Sequence, residues 1–240
     1  MIEIRHVGQD RTLQAYNTLY SERSLQHLDG YYQWLIRLLK PRPGSRLLDI
    51  SCGEGALVYW AKKLGLNAWG VDFAPVAVRK AYDQVAAARL VVADGQRIPL
   101  AAASFENITS IGSLEHYEDP EQGMREIARL LTPSGKACVL LPNAFGLLWN
   151  IKWVWKTGDV NDDGQPLQRY ATINEWQRML TRNGLRVLKI VPHQRALPGS
   201  LQDWLWYVKQ PHKLLTAWLG KWIIPRSLAS TLVYICEAAS

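Results

Sequence analysis

The stretch that decides the fold is Arg46-Leu47-Leu48-Asp49-Ile50-Ser51-Cys52-Gly53-Glu54-Gly55. Its first half is apolar, as expected of a buried strand, and a helix-compatible segment follows at residues 56–64. Glycines in the turn between them let the backbone approach a ligand closely, and the start of a helix offers free N–H groups. The stretch therefore predicts a strand–loop–helix unit whose loop binds a ligand.

Asp49, near the end of the strand, bears on the charge of that ligand. A dinucleotide-binding fingerprint can be fitted, because Ser51-x-Gly53-x-x-Ala56 approximates G-x-G-x-x-G/A. That arrangement places a carboxylate close to a pyrophosphate, where two negative charges repel each other. A cationic ligand fits better, and S-adenosylmethionine carries both a sulfonium and an ammonium group.

The segment Asp49-x-Ser51-x-Gly53-x-Gly55 resembles the acidic-x-Gly-x-Gly-x-Gly motif of the class I S-adenosylmethionine-dependent methyltransferases. The small-molecule group called type 11 is the most similar, although Ser51 replaces its first glycine. The resemblance continues through Leu114-Glu115-His116 and Asp119-Pro120 to about residue 142. It implies an α/β fold with a doubly wound, Rossmann-like sheet of seven strands, mostly parallel with an antiparallel last strand. Helical insertions are expected to cap this sheet.

The ends of the later strands carry the residues that the resemblance assigns to the cofactor. Asp72 follows Asp49 by 23 residues, and a carboxylate there can accept both ribose hydroxyls; the alternative is a helix N-cap. Asp94 is assigned to the adenine amino group, and the alternative is a turn aspartate before Gly95. The expected cofactor-binding residues are Asp49, Ser51, Gly53, Gly55, Asp72, Phe73, Asp94, Gly95, Ile111 and Tyr20.

Hydrophobic periodicity and capping signals predict one domain over residues 1–240. It divides into an N-terminal helical cap at 9–42, a cofactor-binding core at 43–143, and acceptor-side insertions at 144–171 and 192–230. Residues 11–40 are expected to be helical. The other predicted helices are 55–65, 75–87, 119–131 and 173–183, and the predicted strands are 46–50, 67–72, 89–93, 105–111, 136–142, 185–191 and 231–237.

Glu115 and His116 raise the question of a metal and of a catalytic base. Some relatives hold a divalent metal through Glu-x-x-Glu-His, but here Gly112 replaces the first acid, so no metal is predicted. The motifs of DNA base methyltransferases are missing from the sequence, which disfavours a nucleic-acid substrate. His116 is the candidate general base, since its ordinary pKa lies near neutrality. The alternative is a histidine that shapes the pocket or caps the helix near Asp119.

The second half of the chain is basic and aromatic. Residues 121–240 carry the whole formal charge of +7 and eight of the eleven tryptophans. Residues 192–230 are expected to form one or two amphipathic helices, either as a cap packed on the sheet or as a platform for a lipid-like acceptor or an anionic membrane. Three separated cysteines and an N-terminus without an apolar segment predict a cytoplasmic protein, with peripheral membrane association left open.

Together these patterns predict transfer of a methyl group from S-adenosylmethionine to an O or N atom of a small or lipid-like acceptor. Two alternatives from other classes stay open. One is a catalytically silent module that binds the cofactor or a partner, which the replaced glycine at Ser51 would allow. The other is an NAD-dependent oxidoreductase, which Asp49 disfavours.

Overall fold

A computed structural model describes residues 1–85 and 89–239 and contains a central sheet. Within these residues the sheet has seven strands: β2 Arg46–Ile50, β3 Asn67–Asp72, β4 Arg89–Val92, β5 Phe105–Ile111, β6 Leu131–Pro142, β8 Leu185–His193 and β9 Thr231–Ala238. Their order is β4-β3-β2-β5-β6-β9-β8, and β9 runs antiparallel to both of its neighbours. The predicted fold is confirmed.

Helices cover both faces of the sheet because successive strand residues point to opposite sides. Leu47 lies in one apolar cluster with the helices at residues 29–39, 56–63 and 75–84, whereas Leu48 lies in another with the helices at 120–130 and 173–182. Both faces are buried, as expected for a doubly wound sheet. The helices are α1 Thr12–Glu22, α2 Asp29–Leu39, α3 Ala56–Lys63, α4 Pro75–Gln84, α5 Pro120–Leu130 and α7 Ile173–Arg182.

The topology places a crevice at the carboxyl ends of β2 and β5. β2 pairs in parallel with β3 on one side and with β5 on the other, so the direction of winding reverses between them. Ligands of doubly wound sheets bind outside the carboxyl ends of the strands at such a reversal. The loops after β2, β3, β4 and β5 therefore converge on one site.

The helical segment expected at 11–40 is interrupted, because the chain forms two helices separated by residues 23–28. α1 ends where Arg23 adopts an extended conformation with φ of −145°. α2 then starts at Asp29, and the Asp203 carboxylate accepts the backbone N–H groups of Asp29 and Gly30 at 3.0 and 2.8 Å. A buried side chain 174 positions away thus caps this helix, which no local pattern indicates.

A small second sheet was also absent from the sequence-based expectations. β1, Ile2–Arg5, pairs antiparallel with β7, Leu167–Tyr170. Each strand has four residues, too few for a clear alternation of apolar and polar side chains. The pairing ties the start of the chain to the first insertion.

Both insertions leave the sheet at its ligand-binding edge. β6 ends at Pro142 and β8 ends at His193, and the register pairs both with the first two residues of β9, Thr231 and Leu232. The first insertion holds a π-helical turn at Leu147–Ile151 and α6, Lys152–Thr157; the second holds α8, Leu201–Val208, and α9, Pro211–Ile223. Across the described residues, no helix combines the length and apolarity required to span a membrane.

Candidate functional site

The loop after β2 has the backbone conformation of a ligand-binding turn. Gly53 and Gly55 adopt positive φ angles of 52° and 82°, a region that glycine enters at little cost. A Cβ atom on Gly55 would lie 2.9 Å from the Cβ of Ala81, so α3 and α4 approach closely only because this side chain is missing. The loop therefore runs directly into the N-terminus of α3.

Ser51 shows how the replaced glycine is accommodated. Its φ angle of 60° lies in the left-handed region, which costs a non-glycine residue about 1 kcal/mol. Its hydroxyl is 2.7 Å from the hydroxyl of Tyr117, and a hydrogen bond of this kind contributes about 1 kcal/mol. A Cβ on Gly95 would lie 2.0 Å from the same Tyr117 oxygen. Tyr117 therefore joins the loops that follow β2 and β4.

Asp72 lies at the centre of the converging loops. It is 2% exposed, and its two carboxylate oxygens accept the backbone N–H groups of Gly53 and Ala74 at 2.8 and 2.9 Å. Burial raises the pKa of Asp72 to about 6, against the lowering effect of these N–H groups. Each oxygen keeps a lone pair that can accept a further hydrogen, so the carboxylate fits a ligand with two adjacent hydroxyl groups.

Asp49 is enclosed by the sheet rather than open to the loop. It accepts a hydrogen bond of 2.7 Å from the hydroxyl of Thr109. Burial, followed by the nearby charge of Asp72, raises the pKa of Asp49 to about 7. Among residues 1–85 and 89–239 neither buried carboxyl group has a basic partner. This favours a cation at the crevice, since positive charge lowers the cost of ionising them.

Asp94 is exposed and lies at the edge of the site. It accepts the backbone N–H of Gln96 at 2.8 Å, as expected of an aspartate in a turn. Its free surface leaves it able to meet a ligand.

Helix α1 covers the loops from the opposite side. Tyr16 and Tyr20 are buried, and a Cβ on Gly53 would lie 3.0 Å from the Tyr20 hydroxyl. Phe73, directly after Asp72, meets the Tyr16 ring edge-on with the ring centres 5.2 Å apart. Lys80 holds α1 in place by donating to the Tyr20 carbonyl and pairing with Glu54 at 3.1 Å.

The segment after β5 brings two buried titratable side chains to the same edge. His116 Nδ1 lies 2.5 Å from the carbonyl oxygen of Leu167. Because a carbonyl only accepts, Nδ1 carries the proton and Nε2 is left with a free lone pair. Burial lowers the pKa of His116, so the ring is neutral at physiological pH.

Glu115 lies beside His116, with Oε1 3.9 Å from His116 Nε2. Its Oε2 is buried and has no hydrogen-bond partner among the residues that the structure describes. Burial raises the pKa of Glu115 to about 8, so its carboxyl group is mostly protonated at neutral pH. A buried oxygen without a partner at a crevice is suited to form a hydrogen bond with a polar atom of a ligand.

Comparison with known proteins identifies the family. Residues 48–139 match the family described as "Methyltransferase domain". The central part of the chain therefore forms a class I S-adenosylmethionine-dependent methyltransferase domain. This confirms the family and the cofactor expected from residues 49–55.

Curated relatives share the central part of the chain. The 27-O-demethylrifamycin SV methyltransferase of Amycolatopsis mediterranei is 29% identical over 162 residues, which are 63% of this chain and 57% of the relative. The 2-phytyl-1,4-naphtoquinone methyltransferase of Thermosynechococcus vestitus is 30% identical over 137 residues, 55% and 61% of the two chains. The first listed curated relatives are matched over 37% to 61% of their length.

A solved structure extends the similarity of fold to nearly the whole chain. The methyltransferase in complex with the Trm112 activator of Haloferax volcanii superposes with a TM-score of 0.65. The match covers 98% of this chain and 100% of that one at 18% identity. The insertions are therefore compatible with the fold of a methyltransferase.

The structure brings most of the predicted cofactor residues together. The loop residues 51–55, Asp72, Phe73 and Tyr20 converge on the crevice, whereas Asp49 is turned into the sheet and Asp94 is at the rim. Ile111, the last residue of β5, is half-buried at the same edge. Sequence reasoning missed the linking role of Tyr117 and the unpaired oxygen of Glu115, because both depend on residues distant in the chain.

Replacement of Asp72 by asparagine is expected to weaken the binding of S-adenosylmethionine at least tenfold. Two charge-assisted hydrogen bonds to the ribose would lose their anionic acceptor, at a cost of about 1.5–3 kcal/mol. Titration calorimetry measures the dissociation constant, and Asp83→Asn, an exposed aspartate on α4, is the matched control. An unchanged constant in a folded Asp72 variant would remove the ribose assignment.

Proposed function

We propose that this methyltransferase transfers the methyl group of S-adenosylmethionine to an O or N atom of a small, lipid-like acceptor. One observation carries the proposal: the cofactor-side loops and the two aromatic insertions leave the sheet at the same edge. An acceptor held among the insertions would then be adjacent to the cofactor.

Residues of the crevice are suited to hold the cofactor. Asp72 would accept the two ribose hydroxyls, and residues 51–55 would pass under the methionine part. Tyr20 and Phe73 would close over it, with Asp94, Gly95 and Ile111 around the adenine. When bound, S-adenosylmethionine supplies a methyl group on a sulfonium that is already a good leaving group.

His116 is proposed as the base that receives a proton from the acceptor. Its Nδ1–H donates to the Leu167 carbonyl, which fixes the ring and directs the basic Nε2 away from that contact. The unpaired Oε2 of Glu115 is suited to position the polar end of the acceptor. Burial of both groups keeps water away from the proton that moves.

An apolar acceptor is supported by the side chains around the edge and by two relatives. The insertions contain Trp149, Trp153, Trp155, Trp204, Trp206, Trp218 and Trp222. The relatives quoted above are named for a rifamycin and a phytyl-naphthoquinone, both small organic acceptors. Peripheral contact with a membrane belongs to this proposal, because acceptors with long apolar chains partition into bilayers.

Incubation with S-adenosylmethionine labelled in its methyl group tests the function. We expect transfer of label to at least one phenol, hydroquinone or amine that bears an apolar chain, detected by mass spectrometry, and less transfer to the same head group without the chain. Asp72→Asn, in which cofactor binding should be weakened, is the control for label that reaches an acceptor without the proposed cofactor site. Tight cofactor binding with no labelled product across the panel would favour the catalytically silent module.

A further inference from the structure

Helix α6 exposes two tryptophans and contributes no buried residue to the described structure. Lys152–Thr157 contains no buried residue, and Trp155 is 88% exposed. Trp153 and Val154 are also exposed. Exposed tryptophans are costly in water, so a helix of this composition indicates a surface that is covered in use.

Helices α8 and α9 add a second exposed apolar group. Val208 is 73% and Trp218 57% exposed, while the buried side of α8 is limited to Asp203 and Tyr207. The other large exposed apolar side chains here are Leu201, Trp204, Leu205, Leu215 and Ile223. We call the exposed side chains of α6, α8 and α9 the tryptophan surface.

The two insertions that carry the tryptophan surface meet where they join the sheet. The Asn143 side-chain amide donates to the carbonyl oxygens of Ser227 and Ala229 at 2.8 Å each. A Cβ on Gly146 would lie 2.8 Å from the Cα of Ser230. Residues 143–146, where the first insertion leaves β6, therefore contact residues 227–230, where the second insertion returns to β9.

The charge of these segments selects the partner. Residues 144–158 contain two lysines and no acid, but three aspartates follow at 159, 162 and 163. Residues 194–230 contain five basic residues and one acid, Asp203, so the excess of positive charge lies in this second segment. Asp203 is buried and accepts the N–H groups of Asp29 and Gly30, so it does not offset the positive surface. Exposed tryptophan with lysine matches the interface of an anionic bilayer, where aromatic rings lie at head-group level and ammonium groups meet lipid phosphates.

We propose that the tryptophan surface docks on an anionic lipid bilayer and turns the acceptor side of the crevice towards it. This deepens the proposed function by naming where a lipid-like acceptor comes from. Docking needs no turnover, so its failure and the failure of methyl transfer are separable. Each lysine near an anionic surface contributes a roughly fivefold gain in partitioning, which falls as salt rises.

Co-sedimentation of the full chain with vesicles tests the docking. We expect binding to vesicles of phosphatidylcholine and phosphatidylglycerol at 7:3, little binding to pure phosphatidylcholine, and loss of binding at high salt. Lys152→Gln with Lys156→Gln should lower partitioning about 25-fold. Trp153→Ser with Trp155→Ser should lower it about tenfold or more, and folding is spared because α6 has no buried residue.

Matched controls lie outside the tryptophan surface. Arg42→Gln changes an exposed basic residue in the loop before β2, at the opposite edge of the sheet, and Leu188→Ser changes an exposed apolar residue on β8. Both should bind vesicles as the unchanged protein does. Equal losses in controls and surface variants, equal binding to neutral vesicles, or a stable dimer that buries α6 in solution would overturn the proposal.

Discussion

Replacement of Glu115 by glutamine is expected to flatten the dependence of the unfolding free energy on pH between pH 5 and 8. Burial raises the folded-state pKa of Glu115 to about 8 from an ordinary value of 4.5. The folded protein therefore keeps a proton that the unfolded chain loses, and stability falls as pH rises through this window. For one such carboxyl group the change amounts to about 3 kcal/mol, which the glutamine variant should no longer show.

Urea unfolding at pH 5, 6.5 and 8 measures this difference. Glu118→Gln is the control, because Arg5 holds the pKa of Glu118 below its usual range and that carboxylate is ionised throughout the window. Asp49 and Asp72 also have raised pKa values and contribute to the slope of every variant equally. Parallel curves for the unchanged protein and Glu115→Gln would show that Glu115 is ionised in the folded state.

Replacement of His116 by asparagine is expected to lower kcat by about 10²–10⁴-fold, the usual contribution of a general base. The asparagine amide can still donate to the Leu167 carbonyl, which His116 Nδ1 contacts now, whereas the basic Nε2 is lost. Cofactor affinity should change little, because Asp72 and the loop after β2 stay intact.

Turnover of an acceptor found with labelled cofactor, measured beside calorimetric cofactor binding, separates the roles of His116. Burial lowers the pKa of His116 below 6.5, so the rate should fall only on the acid side of that value as the ring becomes protonated. His116→Gln serves as a second variant of similar polarity. Normal turnover in both variants would make His116 structural and leave the rate to the alignment of the reactants.

The cofactor-side core could be predicted because its signals are local. The run from Arg46 to Gly55 contains the strand, the turn glycines and the start of the helix within ten residues. Asp72 is likewise indicated by its place at the end of the next strand. Each of these features depends on neighbours in sequence, where periodicity and turn chemistry are informative.

Features that depend on distant residues could not be predicted. The hydrogen bond between the Ser51 and Tyr117 hydroxyl groups joins positions 66 apart. It gives a structural role to the serine that replaces the first glycine of the motif. The division of the N-terminal helical segment depends on Asp203, which caps α2 from the second insertion. The raised pKa of Glu115 arises from the burial of its side chain, which a sequence pattern does not record.

Titration calorimetry with S-adenosylmethionine and, separately, with NADH is the most direct test of the cofactor site. We expect one S-adenosylmethionine per chain, with binding weakened at least tenfold by Asp72→Asn but not by Asp83→Asn, and no heat of binding with NADH. Binding of NADH at the site, or no binding of S-adenosylmethionine by the folded protein, would contradict the function proposed for this crevice.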